Sequence, residues 1–242
     1  MLINIHKGYY LLFISVTFFL VCGNIDVDAQ DSSYIKPPVT ASYKGYKKQV
    51  KDDSLKKMTE LKTLMPGLIY DLRYASTNNF MNRLMYPENT AVTFLRLPAA
   101  KALANIQAEL NRQGLGLKIF DAYRPYAVTV KFWELVKDER YVAHPAKGSG
   151  HNRGIAVDLT IIKLSTGKEL EMGTGFDNFS DTAHHTFTAL SAEILQNRSL
   201  LKSLMEKNGF KAYTEEWWHY SLPDAAKYEI LDLEFKKLKK TL

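Results

Sequence analysis

The 242-residue sequence contains one cysteine, Cys22, and it lies inside an apolar run over residues 9–23. A chain trimmed behind that run has no cysteine at all. That excludes a disulfide framework, a thiolate metal site and a cysteine nucleophile, so any metal would have to be held by histidines and carboxylates. Long apolar stretches are missing too: the run is fifteen residues long, and a bilayer span takes about twenty. There is no arginine-rich block interleaved with aromatics, which argues against nucleic-acid binding, and no internal repeat. The net charge of +6 draws on lysines in residues 36–57 and on Lys236, Lys237, Lys239 and Lys240. Such clusters read first as solvated surface, with attraction to an anionic cell envelope as an alternative.

Lys7 ahead of the apolar run and "VDA" at residues 27–29 give residues 1–29 the pattern of a signal peptide. The expected mature start is Gln30, in a protein exported to the periplasm or cell envelope of a bacterium. An uncleaved anchor is an alternative. So is lipidation at Cys22, although Phe19, Leu20 and Val21 before it make a poor lipoprotein signal. Residues 30–54, rich in Ser, Lys, Tyr and Pro and without an evident helical period, are expected to be a linker or loosely docked arm. A single folded domain is expected over residues 55–242.

Within that domain, "GLIYDLRYAS" at 67–76 alternates as a strand. Pro98 opens a helix that Gly114 should stop. "LKIFDAY" at 117–123 reads as a buried strand, and Pro125 starts a helix reaching about Lys137. "IAVDLTIIKL" and "KELEMG" suggest a hairpin. Further expectations are a helix over about 197–207, strands in "FKAY" and "WWHYSL", and a helical, basic tail after Pro223. Strands and helices mix without a strict βαβ rhythm. The expected class is therefore α+β, with a largely antiparallel sheet and flanking helices.

Two short stretches hold residues able to do chemistry. "SGHNRGIAVD", residues 149–158, carries His151 and Asp158, and "EEWWH", residues 215–219, ends in His219. Asp158 stands in an apolar strand, where an unpaired charge costs several kcal/mol. Either a metal or an arginine, Arg153 or Arg124, could be its partner. Two imidazoles, one carboxylate and an open position make a catalytic zinc arrangement. Glu216, three residues before His219, is placed for a general base; the alternative is a solvated carboxylate. Arg124 in "DAYRP" is stiffened by Pro125 and could stabilise an oxyanion, or could pair with Asp121 or Asp71.

"SGHNRGIAVDLT" followed by "EWWH" resembles the Ser-x-His-x-x-Gly-x-Ala-x-Asp and Glu-x-x-His pair of the D-alanyl-D-alanine dipeptidases, zinc peptidases of the VanX type in peptidase family M15. The likeness extends, in the family's order, to "DLRYASTNNF", "DAYRP", "MGTGFD" and "HH" at His184 and His185. It implies a hedgehog/DD-peptidase-like fold and one zinc ion per chain, bound by His151, Asp158 and His219. It also implies Glu216 as base and proton shuttle, Arg124 on the scissile carbonyl, and Ser149 near the substrate amino terminus. Phe176 and Asp177 would border the site, His184 and His185 would support it, and Trp217 and Trp218 would pack beneath it. The implied reaction is hydrolysis of D-Ala-D-Ala to two D-alanines. A D,D-carboxypeptidase acting on longer wall peptides and a non-catalytic zinc-containing wall-binding module are the alternatives. The expected partner is a small D-amino-acid dipeptide, with no nucleic acid and no membrane span after leader removal; oligomeric state is not legible.

Overall fold

The computed structural model describes residues 34–240, so the leader expected at 1–29 and the start expected at Gln30 lie outside the described residues. The chain opens with β1 (Val39–Thr40) and the helix α1 (Tyr43–Asp52). For residues 34–54 this corrects the expectation of a linker or loose arm over 30–54. Ser42 caps α1 by accepting from the Gly45 amide, and Tyr46 is buried with its phenol oxygen accepting from the Met58 amide. β2 (Met58–Glu60), the single turn α2 (Leu61–Leu64) and β3 (Ile69–Tyr70) follow. The strand expected over 67–76 is thus only two residues long. Amides of Ala75 and Ser76 donate back to Leu72 and Arg73, closing a tight turn that buries Tyr74.

β4 (Phe94–Arg96) leads into α3 (Leu97–Asn111), with proline in its first turn and Gly114 beyond its end at φ +71°. This asymmetry is the one expected of a well-terminated helix. β5 (Leu115–Asp121), α4 (Tyr126–Val136), the one-turn helix α5 (Gly150–Arg153) and β6 (Ala156–Lys163) bring the chain to its centre. The arm after β6 meets it in only one isolated bridge, Ile162 to Glu169. The expected hairpin therefore returns without a second full strand. α6 (Ala192–Lys207) starts earlier than expected, at the Ser191 cap. β7 (Lys211–Ala212), β8 (His219–Ser221), β9 (Ile230–Leu231) and α7 (Phe235–Lys239) complete the order. The tail expected to be helical thus contributes a strand as well, pairing in parallel with β1.

The main sheet runs β3-β5-β6-β8-β7 and is antiparallel except for the β3–β5 pair, which bears out the α+β class with a largely antiparallel sheet. Val157, Leu159 and Ile161 of β6 and Tyr220 of β8 join α3 and α6 in the main core. Strand alternation then turns Asp158 and His219 to the opposite face. A second core of aromatic and aliphatic residues, including Tyr46, Tyr74, Phe132, Leu231 and Phe235, ties the amino- and carboxy-terminal elements together.

Arg198 of α6 fastens the loop that borders the site. Its guanidinium donates to the carbonyls of Met172 (2.7 Å), Thr182 (2.8 Å) and His184 (3.1 Å). Hydrogen bonds to a charged group contribute about 1.5–3 kcal/mol each, and not additively. Replacing Arg198 by methionine should therefore cost about 2–4 kcal/mol. A urea midpoint lowered at constant slope is the readout.

Candidate metal centre

Register gathers the site. Asp158 on β6 stands directly opposite His219 on β8, and residues so paired share a face with their Cβ atoms about 5 Å apart. On the other edge of β6, Asp158 faces Asp121, where the β5 register shifts between Ile119 and Asp121. Without that bulge, alternation would send Asp121 to the side of Leu117 and Ile119, into the core; the extra residue re-aims it. Three neighbouring strands thus present two carboxylates and an imidazole in a row.

His151 reaches the same face from α5, a helix too short to persist alone and held by its ends. Ser149 Oγ accepts from the Asn152 amide while Asn152 Oδ1 accepts from the Ser149 amide, a reciprocal cap. Gly154 ends the turn at φ +71°, a left-handed conformation that glycine adopts without strain. The Asn152 side chain, fully buried, donates to the carbonyl of Arg124 and to Thr129 Oγ1, both at 2.8 Å. Asn152 escaped the sequence reading, although the Ser149-x-x-Asn152 spacing was the signal that could have exposed it.

The ligand atoms converge. Nitrogen or oxygen atoms of His151, Asp158 and His219 lie within 4.8 Å of one another. His151 Nδ1 is 2.7 Å from the Ala122 carbonyl, which can only accept. The proton therefore sits on Nδ1, and Nε2, 3.4 Å from Asp158 Oδ2, keeps its lone pair. His219 Nδ1 is 2.8 Å from Asp158 Oδ1. Burial holds the pKa of both imidazoles below their usual range, for His151 with help from Arg124 and His219. Neutral rings are the form that ligates. Burial, then repulsion from Asp121, pushes the Asp158 carboxyl well up, and the Arg124 charge opposes them.

Neither Arg124 nor Arg153 forms an ion pair with Asp158, although the Arg124 charge lies near enough to favour its carboxylate. Arg153 donates to the carbonyls of Tyr228 and Lys147, and Arg124 gives both Nε and Nη2 to Asp121 Oδ2, at 3.0 and 2.7 Å. Of the two explanations for a buried Asp158, the metal is the one the geometry fits. A borderline cation such as zinc suits two imidazoles and a carboxylate.

Around this triad lies a cleft of about 260 Å³, below the roughly 300–1,000 Å³ usual for drug-sized ligands. Glu216 lines it, with Oε2 3.9 Å from His219 Nδ1, and burial pushes its carboxyl up to about 8. Arg124 lines it too, its guanidinium lying over the rings of Tyr74 and Phe132 at 5.2 and 4.8 Å. Burial works against the Arg124 charge, and Asp121, Tyr86, Tyr74 and Asp158 together more than restore it. Ser149 is on the wall as well as capping α5. Asp177, at φ +60° and 3.0 Å from the Tyr74 hydroxyl, closes another side. Trp218 reaches the cleft and packs edge-on to Phe176, while Trp217 Nε1 donates to Thr174. His184 and His185 are outside the cleft lining, and the His184 carbonyl is spent on Arg198.

Comparison with known proteins gives the family. The family model described as D-ala-D-ala dipeptidase, Peptidase M15, matches residues 54–240. A D-alanyl-D-alanine dipeptidase of Escherichia coli (strain K12) is 35% identical over 178 residues, which is 74% of this chain and 91% of that protein. The D-alanyl-D-alanine dipeptidase of Enterococcus faecium is 34% identical over 186 residues, 69% of this chain and 91% of its own length. That of Enterococcus faecalis (strain ATCC 700802 / V583) is 32% identical over 184 residues, 68% and 90%. With a match across nearly the whole folded region, the chain belongs to the D-ala-D-ala dipeptidase family of M15 peptidases.

Proposed function

We propose that the protein hydrolyses the dipeptide D-Ala-D-Ala to two D-alanines with one zinc ion held by His151, Asp158 and His219. The observation that carries this reading is the convergence of those three side chains, from a capped helical turn and two paired strands, in a family of D-Ala-D-Ala dipeptidases. A zinc ion held there would supply Lewis acidity, which lowers the pKa of water toward neutrality.

The remaining work falls to the chain. Glu216, at the cleft wall, takes a proton as water attacks and returns it to the leaving amine. Arg124 stabilises the oxyanion of the substrate carbonyl; Asp121 and the two flanking rings hold its guanidinium before the reaction starts, so little reorganisation is needed. The Ser149 hydroxyl oxygen accepts one hydrogen bond in its cap and has a second lone pair to accept one from the substrate's ammonium group. The small cleft suits a dipeptide better than an extended strand. With the signal-like residues 1–29, the setting we propose is the bacterial envelope, where free dipeptide comes from peptidoglycan.

The test compares D-Ala-D-Ala, L-Ala-L-Ala and a wall pentapeptide ending in D-Ala-D-Ala. Cleavage of the free D,D-dipeptide alone is expected; preference for the pentapeptide would replace this reading with a D,D-carboxypeptidase. Binding itself should be visible without turnover. Titrating zinc to about 100 times its Kd into chelator-stripped protein should add about 2.7 kcal/mol of stability. For a domain of this size that raises Tm by about 5–10 °C. His151→Ala should abolish the shift.

A further inference from the structure

We infer that α1 and α7 form a docking face for a membrane surface rich in anionic phospholipid. Residues 36–57 carry seven lysines against two aspartates, a larger imbalance than the +6 of the whole chain would suggest for so short a piece. On α1 the lysines are ordered. Lys44, Lys47, Lys48 and Lys51 are all exposed and follow the i, i+3, i+4, i+7 spacing of one helix face, while buried Tyr46 and half-buried Tyr43 and Val50 take the other. α7 repeats the plan on a smaller scale. Phe235 and Leu238 enter the same second core as Tyr46, and Lys236, Lys237 and Lys239 stay exposed.

This arrangement works against the chain's own stability. Like charges three and four residues apart repel, and α1 has no acidic residue in its first turn, where the helix dipole favours one and where Lys44 stands instead. The nearby acids offset only part of this charge. Asp53 Oδ1 accepts from the Leu55 amide and Glu229 pairs with Lys56, while Glu234 neutralises Lys237 of α7 and Asp52 stands exposed at the end of α1. An external anion relieves the repulsion. A lipid surface fits better than a soluble polyanion because Leu55, 52% exposed, stands in the turn that directly follows α1. Apolar side chains beside a basic helix gain at a bilayer interface and gain nothing from a soluble polymer. No residue of α1 or α7 lines the cleft, so docking leaves the site open.

The test uses the full-length chain and its K44Q/K47Q/K48Q/K51Q variant. Each is sedimented with vesicles of phosphatidylcholine alone or of an equimolar mixture with phosphatidylglycerol. The wild type should partition onto the anionic vesicles about 10–1,000-fold more strongly than the variant, and the advantage should shrink as salt rises. The variant should keep its solution turnover and its Tm, which shows that it folds. Binding that ignores lipid charge, as an apolar leader alone would give, overturns the inference. So does equal binding by the variant, and so does capture by soluble polyphosphate without affinity for vesicles.

Discussion

Glu216→Gln should lower kcat by about 10²–10⁴-fold, the range expected when a positioned general base is removed. KM and the zinc content should stay near wild type. Glutamine has the same length and keeps an oxygen toward the cleft, but it can neither accept nor return the proton. The carboxylate it replaces is poorly hydrated. Burial pushes it up to about 8, opposed chiefly by His219 3.9 Å away. A dication held by the neighbouring ligands would pull it down again, into the range where a base near neutral pH works best. Glu215 is the internal control. It is exposed and reaches the Tyr213 hydroxyl, not the cleft, so Glu215→Gln should change kcat less than twofold. If both variants turned over like the wild type, the proton would be moving through some other group.

The contrast between these adjacent glutamates bears on what a sequence can reveal. Local signals read well. Pro98 and Gly114 bracket α3, Pro125 opens α4, and the apolar run of β5 is a strand. α1 is hidden because its inward face is two tyrosines and a valine, with lysine nearly everywhere else. It holds because Tyr46 reaches the Met58 amide and the second core, contacts that no window of residues 30–54 contains. The candidate ligands stand out as residue types, since a histidine or aspartate in an apolar strand needs a reason. That they meet depends on pairing between residues 61 apart, and strand register over that distance is a tertiary choice. The same holds for Asp121. Only the bulge in β5 brings it beside Asp158 and under Arg124, and nothing in "IFDAY" announces an extra residue.

Asp121 also decides how Arg124 should be tested. Arg124→Lys is expected to lower kcat by about 10²–10³-fold, the loss seen when one oxyanion donor is removed, although the charge is kept. In the proposed mechanism the guanidinium would do two tasks at once: Nε and Nη2 bind Asp121 Oδ2, leaving Nη1 with no hydrogen bond among the described residues and available to a substrate. A lysine ammonium is a single point on a flexible stem. If it stays on Asp121 it does not reach the carbonyl, and if it turns to the carbonyl it leaves a buried carboxylate alone. Arg124→Ala forces that second outcome and should destabilise the fold by about 3–5 kcal/mol, the cost of breaking a buried pair. Low activity in that variant would then say little about catalysis. Adding Asp121→Asn removes the stranded charge. The double variant should regain much of the lost stability, read from its urea midpoint, yet recover no turnover. Recovery of both together would make Arg124 a structural residue only, and full activity in Arg124→Lys would remove the oxyanion role altogether.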